Sequence, residues 1–154
     1  MIDIVRTNSD DLHFISLVRC LDADLAERDG AEHSFYAQFN KVDNIKYAIV
    51  AYEDGLHVGC GAIKEHDVNT MEVKRIYILP AYRGKGIAKR VLTALEEWTI
   101  ELNHSVCILE TGKNQPEAIG LYNKAGYSLI PNYGQYAGIV NSVCFKKLVK
   151  SETV

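Results

Sequence analysis

Near residue 80 the hydrophobic period of this chain changes, and it changes across nine residues, YRGKGIAKR (82–90), that hold two glycines and four cations. Before this stretch, MEVKRIYIL alternates apolar and polar residues as a strand does and is closed by Pro80. After it, Ile87, Val91, Leu92, Leu95, Trp98 and Leu102 recur at helical spacing, with Lys89, Arg90, Glu96, Glu97 and Glu101 outside that face. A strand therefore feeds a helix through a flexible, locally positive corner. The whole chain has a net charge of -3, so the corner's cations do not follow from an overall basic composition.

Elementary chemistry gives such a corner a use. A helix start leaves about four backbone N–H groups without internal partners and carries the positive end of the helix dipole. Gly84 and Gly86 let the backbone adopt conformations that other residues avoid and let a ligand approach closely. Arg83 and Lys85 add two full charges, so the corner suits a phosphate or pyrophosphate. A GxG pair alone would read as an ordinary turn with solvated cations. The strand before and the helix after favour the anion site.

The rest of the chain reads as a mixed α/β domain. IDIVR (2–6) has strand alternation, and Ser9, Asp10 and Asp11 are N-cap candidates for a helix with Leu12, Ile15, Leu17, Val18 and Leu21 on its apolar side. RDGAEHSFYAQFN (28–40) begins as a turn and continues as a short helix. KYAIVAYE and LHVGCGAIKEH flank Asp54-Gly55 as a hairpin, and a second turn at Asp67–Asn69 leads to MEVKRIYIL. SVCILET (105–111) is a buried strand. PEAIGLYNKAG (116–126) is a short helix with Pro116 in its first turn and Gly126 at its end. YSLI and NSVCFKKL supply two last strands around the loop PNYGQYAG. Residues 1–150 are expected to form one domain and 151–154 a tail.

Composition narrows the function classes. No apolar run approaches the roughly 18–20 residues needed to span a bilayer, and the N-terminus MIDIVRTNSDD has acids where a signal peptide would be basic and then apolar. A cytoplasmic protein is expected, with neither nucleic acid nor membrane as partner. Cys20, Cys60, Cys107 and Cys144 have no zinc-like spacing; three sit in apolar strand-like runs, and the thiols are expected to be buried and structural rather than metal ligands.

Two phosphate motifs can be set aside. Nothing supplies the GxxxxGK[ST] of a Walker loop, and the dinucleotide fingerprint GxGxxG begins at Gly84 and Gly86 but meets Lys89 at its third glycine position. Glu110 could imitate a ribose-binding acid, but the phosphate corner here follows a hairpin series instead of opening the fold. VKRIYILPAYRGKGIAKRVLTALE instead resembles the signature of the GCN5-related N-acetyltransferases, in which [QR]xxGx[GA] joins a strand to a helix; Arg83, Gly86 and Ala88 fall on its fixed positions. LETGKNQPEAIGLYNKAGYSLI resembles that family's next strand and its helix ending in LYxKxGF. The resemblance covers nearly the whole chain. It implies a mixed, mostly antiparallel sheet of six to seven strands flanked by about four helices.

The resemblance also implies a site for acetyl-CoA as co-substrate, without a metal. Backbone N–H groups from Arg83, Gly84, Lys85, Gly86, Ile87 and Ala88 would hold the pyrophosphate, and the strand end Ile76, Tyr77, Ile78 would pair with the pantetheine arm. Either Asn114 or Gln115 would add a coenzyme contact. Acetyl transfer to an amine requires a neutral amine, a donor for the developing oxyanion and a proton for the departing thiolate. By resemblance, a backbone N–H near Ile78 serves the oxyanion and Tyr122 the thiolate. Glu72 is the candidate base, with Glu110 as rival and a water relay as a third route. The acceptor would lie between residues 28–36 and the loop IPNYGQYAG (130–138), where Tyr133 and Tyr136 could form an aromatic wall; His33 reads as a surface residue. The acceptor is expected to be a small amine or amino acid, the alternatives being a protein substrate or a non-catalytic acyl-CoA-binding module. A homodimer is compatible with the resemblance.

Overall fold

The computed structural model describes residues 1–29 and 44–150. Strands β1 (Ile2–Thr7), β2 (Tyr47–Glu53), β3 (Leu56–Asp67), β4 (Thr70–Ile78), β5 (Val106–Gly112), β6 (Ser128–Ile130) and β7 (Ser142–Leu148) form one sheet in the order β1-β2-β3-β4-β5-β7-β6. Every neighbouring pair is antiparallel except β4 and β5. Those two are parallel and need a crossover, which α2 (Ile87–Glu101) provides. Helices α1 (Leu12–Asp29) and α3 (Pro116–Lys124) complete the α-helices among the described residues. The short helix expected over 28–40, with His33, falls largely outside those residues; its first two positions belong to the end of α1.

The sheet is covered on both faces, and β2 shows why its sequence is almost unbroken apolar. Ala48 and Val50 pack in a cluster with Phe14, Leu17, Val18 and Leu21 of α1. Ile49 and Ala51, pointing the other way, pack with Val91, Leu92 and Leu95 of α2. The α1 residues recur at i, i+3, i+4 and i+7, the spacing of one helical face. Asp11 starts that helix: its Oδ1 accepts the N–H groups of His13 at 2.8 Å and Phe14 at 3.0 Å. The β2–β3 hairpin turns on Asp54 (φ 49) and Gly55 (φ 85), the doubly left-handed turn that matches strand twist.

Gly61 sets the distance between β3 and α2. A β-carbon there would lie 2.7 Å from Ile76 Cδ1, 2.8 Å from Val91 Cγ1 and 2.9 Å from Leu95 Cδ1. Cys60, Cys107 and Cys144 are buried on β3, β5 and β7 as expected, whereas Cys20 is exposed on α1. No helix of the described residues is long and apolar enough to cross a membrane.

Candidate active site

Strands β4 and β5 pair only through Thr70–Val106, Met71–Cys107 and Glu72–Ile108. Beyond Glu72 they part, so from Val73 to Ile78 that edge of β4 has no strand neighbour among the described residues. On the other edge the pairing slips: Cys60 lies opposite Tyr77 and Ala62 opposite Lys74, leaving one extra residue on β4. Arg75 takes up the slip with φ 63, a strained value for a side chain with a β-carbon. A cavity of about 680 Å³ opens at the parting, within the roughly 300–1,000 Å³ of ligand pockets.

The basic corner forms one end of it. Pro80–Tyr82 makes a single 3₁₀ turn, and Gly84 (φ 79) and Gly86 (φ 81) are both left-handed. Among the described residues, the next backbone N–H after Arg83 with a backbone acceptor is that of Arg90, which donates to Gly86 O at 3.2 Å. The intervening N–H groups are thus available to an anion at the head of α2. A β-carbon at Gly84 or Gly86 would meet nothing within 4 Å, so the surface over both glycines is open.

The cations behave differently from one another. Arg83 Nε donates to Ile78 O at 2.9 Å and its guanidinium lies 5.4 Å from the Tyr77 ring, so the side chain ties the corner to the end of β4. Lys85 sits with Nζ 5.2 Å from the Tyr82 ring and is not on the cavity wall. Of the other residues named for the cofactor, Gly84, Gly86, Ile87 and Ala88 line the cavity at the corner, and Ile76, Tyr77 and Ile78 line it along β4. Asn114 and Gln115 both line it as well, so geometry does not separate them.

Tyr122 closes the far side. It is 6% exposed, faces the cavity from α3 and packs near Tyr127 and Phe145. The end of α3 fixes it: Tyr127 N–H donates to Tyr122 O at 3.0 Å and Gly126 N–H to Asn123 O at 3.3 Å, with Gly126 at φ 93. This is a Schellman ending, and the Tyr122–Tyr127 ring contact is its usual apolar clasp. Burial, with the charge of Glu110 adding to it, pushes the Tyr122 hydroxyl well above the ordinary tyrosine range. It therefore stays protonated, the state a proton donor needs.

Two carboxylates flank the parting, each held by a hydroxyl from the last part of the chain. Tyr133 Oη donates to Glu72 Oε2 at 2.7 Å, and Ser142 Oγ to Glu110 Oε2 at 2.7 Å. Both carboxylates line the cavity. Glu72 is also 3.7 Å from Lys74 Nζ; their side chains are only 12% and 14% exposed, so the pair is not a solvated surface pair. The two loop tyrosines have different places. Tyr136, 4% exposed, lines the cavity, whereas Tyr133 stands behind Glu72, edge-on to both Tyr136 and His66. Burial first, and Glu72 second, push both hydroxyls upward.

Arg75 was not singled out by sequence reasoning. Its side chain is 2% exposed, reaches Asp22 Oδ1 at 3.4 Å through Nη1 and lines the cavity. Burial pulls it below the ordinary arginine range, opposed by the charge of Asp22. No local signal marks it: the bulge leaves Lys74, opposite Ala62 of the α1-side cluster, and Arg75, in contact with Asp22 of α1, on the same side of the sheet. Among the described residues no group of His, Cys, Asp and Glu is arranged to hold a metal ion.

Comparison with known proteins agrees with this geometry. The sequence matches the acetyltransferase (GNAT) family over residues 14–127. It is 34% identical over 125 residues to the IAA acetyltransferase of Azospirillum brasilense, covering 79% of this chain and 81% of that protein. A Klebsiella pneumoniae structure named for acyl-CoA N-acyltransferase activity superposes with a TM-score of 0.82 at 28% identity, covering 97% of this chain and 99% of that one. YncA of Salmonella typhimurium, solved with its cofactor acetyl-CoA, has the same fold with a TM-score of 0.67 at 13% identity, covering 100% of this chain and 97% of that one. With the family's sequence pattern running through most of its length, the chain belongs to the acetyltransferase (GNAT) family and is an acetyl-CoA-dependent N-acetyltransferase.

Proposed function

We propose that this enzyme acetylates the amine of a small molecule, amino acids included, rather than that of a protein. The observation that carries the reading is the lining of the cavity, which includes buried Tyr136 as well as Leu21 and Leu25 of α1. Such an aromatic and aliphatic wall suits a compact acceptor better than an extended peptide.

The residues present suit acetyl-CoA. The open N–H groups at the head of α2 are assigned to its pyrophosphate, and the unpaired edge of β4 from Ile76 to Ile78 to its pantetheine arm. When bound, acetyl-CoA supplies the acetyl group as a thioester. An alkyl ammonium titrates near 10, so at neutral pH the acceptor must lose a proton before it can attack. Glu72 is assigned to receive that proton, directly or through water, with its Oε2 held by Tyr133. Glu110, held by Ser142, is the alternative base. A backbone N–H near Ile78 is assigned to the carbonyl oxygen as it gains charge. Tyr122 Oη is assigned to protonate the departing sulfur, a role its neutral, buried hydroxyl supports. A cytoplasmic location and a single functional unit over 1–150 belong to the same proposal.

A screen of amines and amino acids with acetyl-CoA, following thiol release, tests the reading. Turnover is expected with a subset of small amines; turnover confined to peptides or protein N-termini would overturn it.

A further inference from the structure

Arg75 is the least satisfied polar group in the described structure. Its side chain is 2% exposed, and Nε and Nη2 are buried with no hydrogen-bond partner. Only Nη1 is engaged, by a 3.4 Å contact with Asp22 Oδ1, long for a charged pair. A guanidinium offers five N–H donors in a planar fork, and three of them belong to the two unpartnered nitrogens. Buried donors are almost always paired, and an unpaired one is costly, so an orphaned group of this kind calls for a partner.

A purely structural tie between α1 and β4 does not explain this side chain. Asp22 is 47% exposed and could be solvated without Arg75, while the guanidinium is held inside by a strained backbone at φ 63. Arg75 is among the residues that line the cavity, with Leu21 and Asp24 of α1, and its Nη1 contact with Asp22 puts the guanidinium on the α1 side of the sheet. The pyrophosphate corner lies beyond Ile78, farther along the strand, and has its own N–H groups.

Resting on the small-molecule reading above, we propose that Arg75 receives a carboxylate of the acceptor, so that the substrate class is amino acids or other amines carrying a carboxylate. Arginine is the side chain best matched to a planar carboxylate, which it binds through two parallel N–H···O bonds. The carboxylate would occupy the unpartnered nitrogens and fix the amine relative to the carboxylates at the parting of β4 and β5. The same contact excludes simple amines and diamines, which would leave the fork unpaired and set a second cation against it.

The test compares each of the twenty L-amino acids with its carboxamide and its decarboxylated amine as acceptors for the wild-type enzyme, following thiol release. Acids are expected to exceed their uncharged or decarboxylated counterparts by about 10²-fold or more in kcat/KM, as for other buried charged contacts. Calorimetric titration with N-acetyl amino acids against their amides reads the same contact without turnover. Arg75→Met keeps the length of the side chain and removes the charge. It is expected to fold, since Asp22 can be hydrated, to keep CoA affinity, and to lose the preference for acids. Turnover of amines with no preference for the carboxylate would overturn the inference and leave the small-molecule reading standing. If no small acceptor of any kind is acetylated, both fall. An Arg75→Met variant that retains the parental acid preference would assign Arg75 to structure alone.

Discussion

The hydroxyl of Tyr133 donates to Oε2 of Glu72 at 2.7 Å, so a loop near the C-terminus holds a carboxylate on the central strand β4. Of the two tyrosines in this loop, Tyr136 lines the cavity and Tyr133 is bonded to Glu72. Tyr133→Phe removes only the oxygen and keeps the ring contacts with Tyr136 and His66. A hydrogen bond to a charged group is worth about 1.5–3 kcal/mol. Acceptor kcat/KM is expected to fall by roughly 10- to 100-fold on that scale, with CoA affinity unchanged. Parental kinetics in the variant would show that Glu72 needs no such support.

Tyr122→Phe is expected to lower kcat by about 10²–10⁴-fold, the usual worth of general acid help, without changing the affinity for CoA. The ring stays in the Schellman clasp with Tyr127, so the fold should survive. Single-turnover measurement at saturating substrates separates this from a binding defect. An unchanged rate would make Tyr122 a packing residue.

Gly86→Asp is expected to abolish CoA binding while leaving a folded protein. No protein atom would oppose the new β-carbon, but the backbone is left-handed at φ 81 and the added carboxylate would stand where an anion belongs. Calorimetry with CoA, with circular dichroism as the folding control, decides the matter. Full affinity in a folded variant would place the pyrophosphate elsewhere.

Stability is expected to fall as pH rises above about 9. Burial pushes Cys60 up to about 12 and Cys107 up to about 11, and raises Tyr122, Tyr127, Tyr133 and Tyr136 above the ordinary tyrosine range. Unfolded, these groups lose protons near 8.5 for thiols and near 10 for tyrosines. Below those values folded and unfolded chains hold the same protons, and the groups impose no pH dependence. Above them the unfolded chain releases protons that the fold retains, costing about 1.4 kcal/mol of stability per pH unit per group. Urea midpoints at pH 7.5, 9.5 and 10.5 should therefore drop steeply after the first, and Cys60→Ala should flatten part of the fall between 9 and 10. A constant midpoint to pH 10.5 would contradict the burial of these groups.

What the amino-acid order determined by itself is local. The period change around YRGKGIAKR, the turn at Asp54-Gly55, a helix cap among Ser9, Asp10 and Asp11, which the structure settles on Asp11, and the Gly126 stop depend on residues a few positions apart, and all appear in the structure. The family signature lies in the same contiguous stretches, which is why family membership is legible in the sequence alone. Strand neighbours are another matter. The parting of β4 from β5 after Glu72, the slip at Arg75 and the reach of Tyr133 across 61 residues to Glu72 depend on pairing between distant segments. Nothing near Arg75 in the chain says that its fork will be enclosed without partners. That follows only when α1 covers one face of the sheet and the bulge rotates the side chain beneath it. Local propensity acts along a few residues, whereas burial and register are properties of the packed sheet.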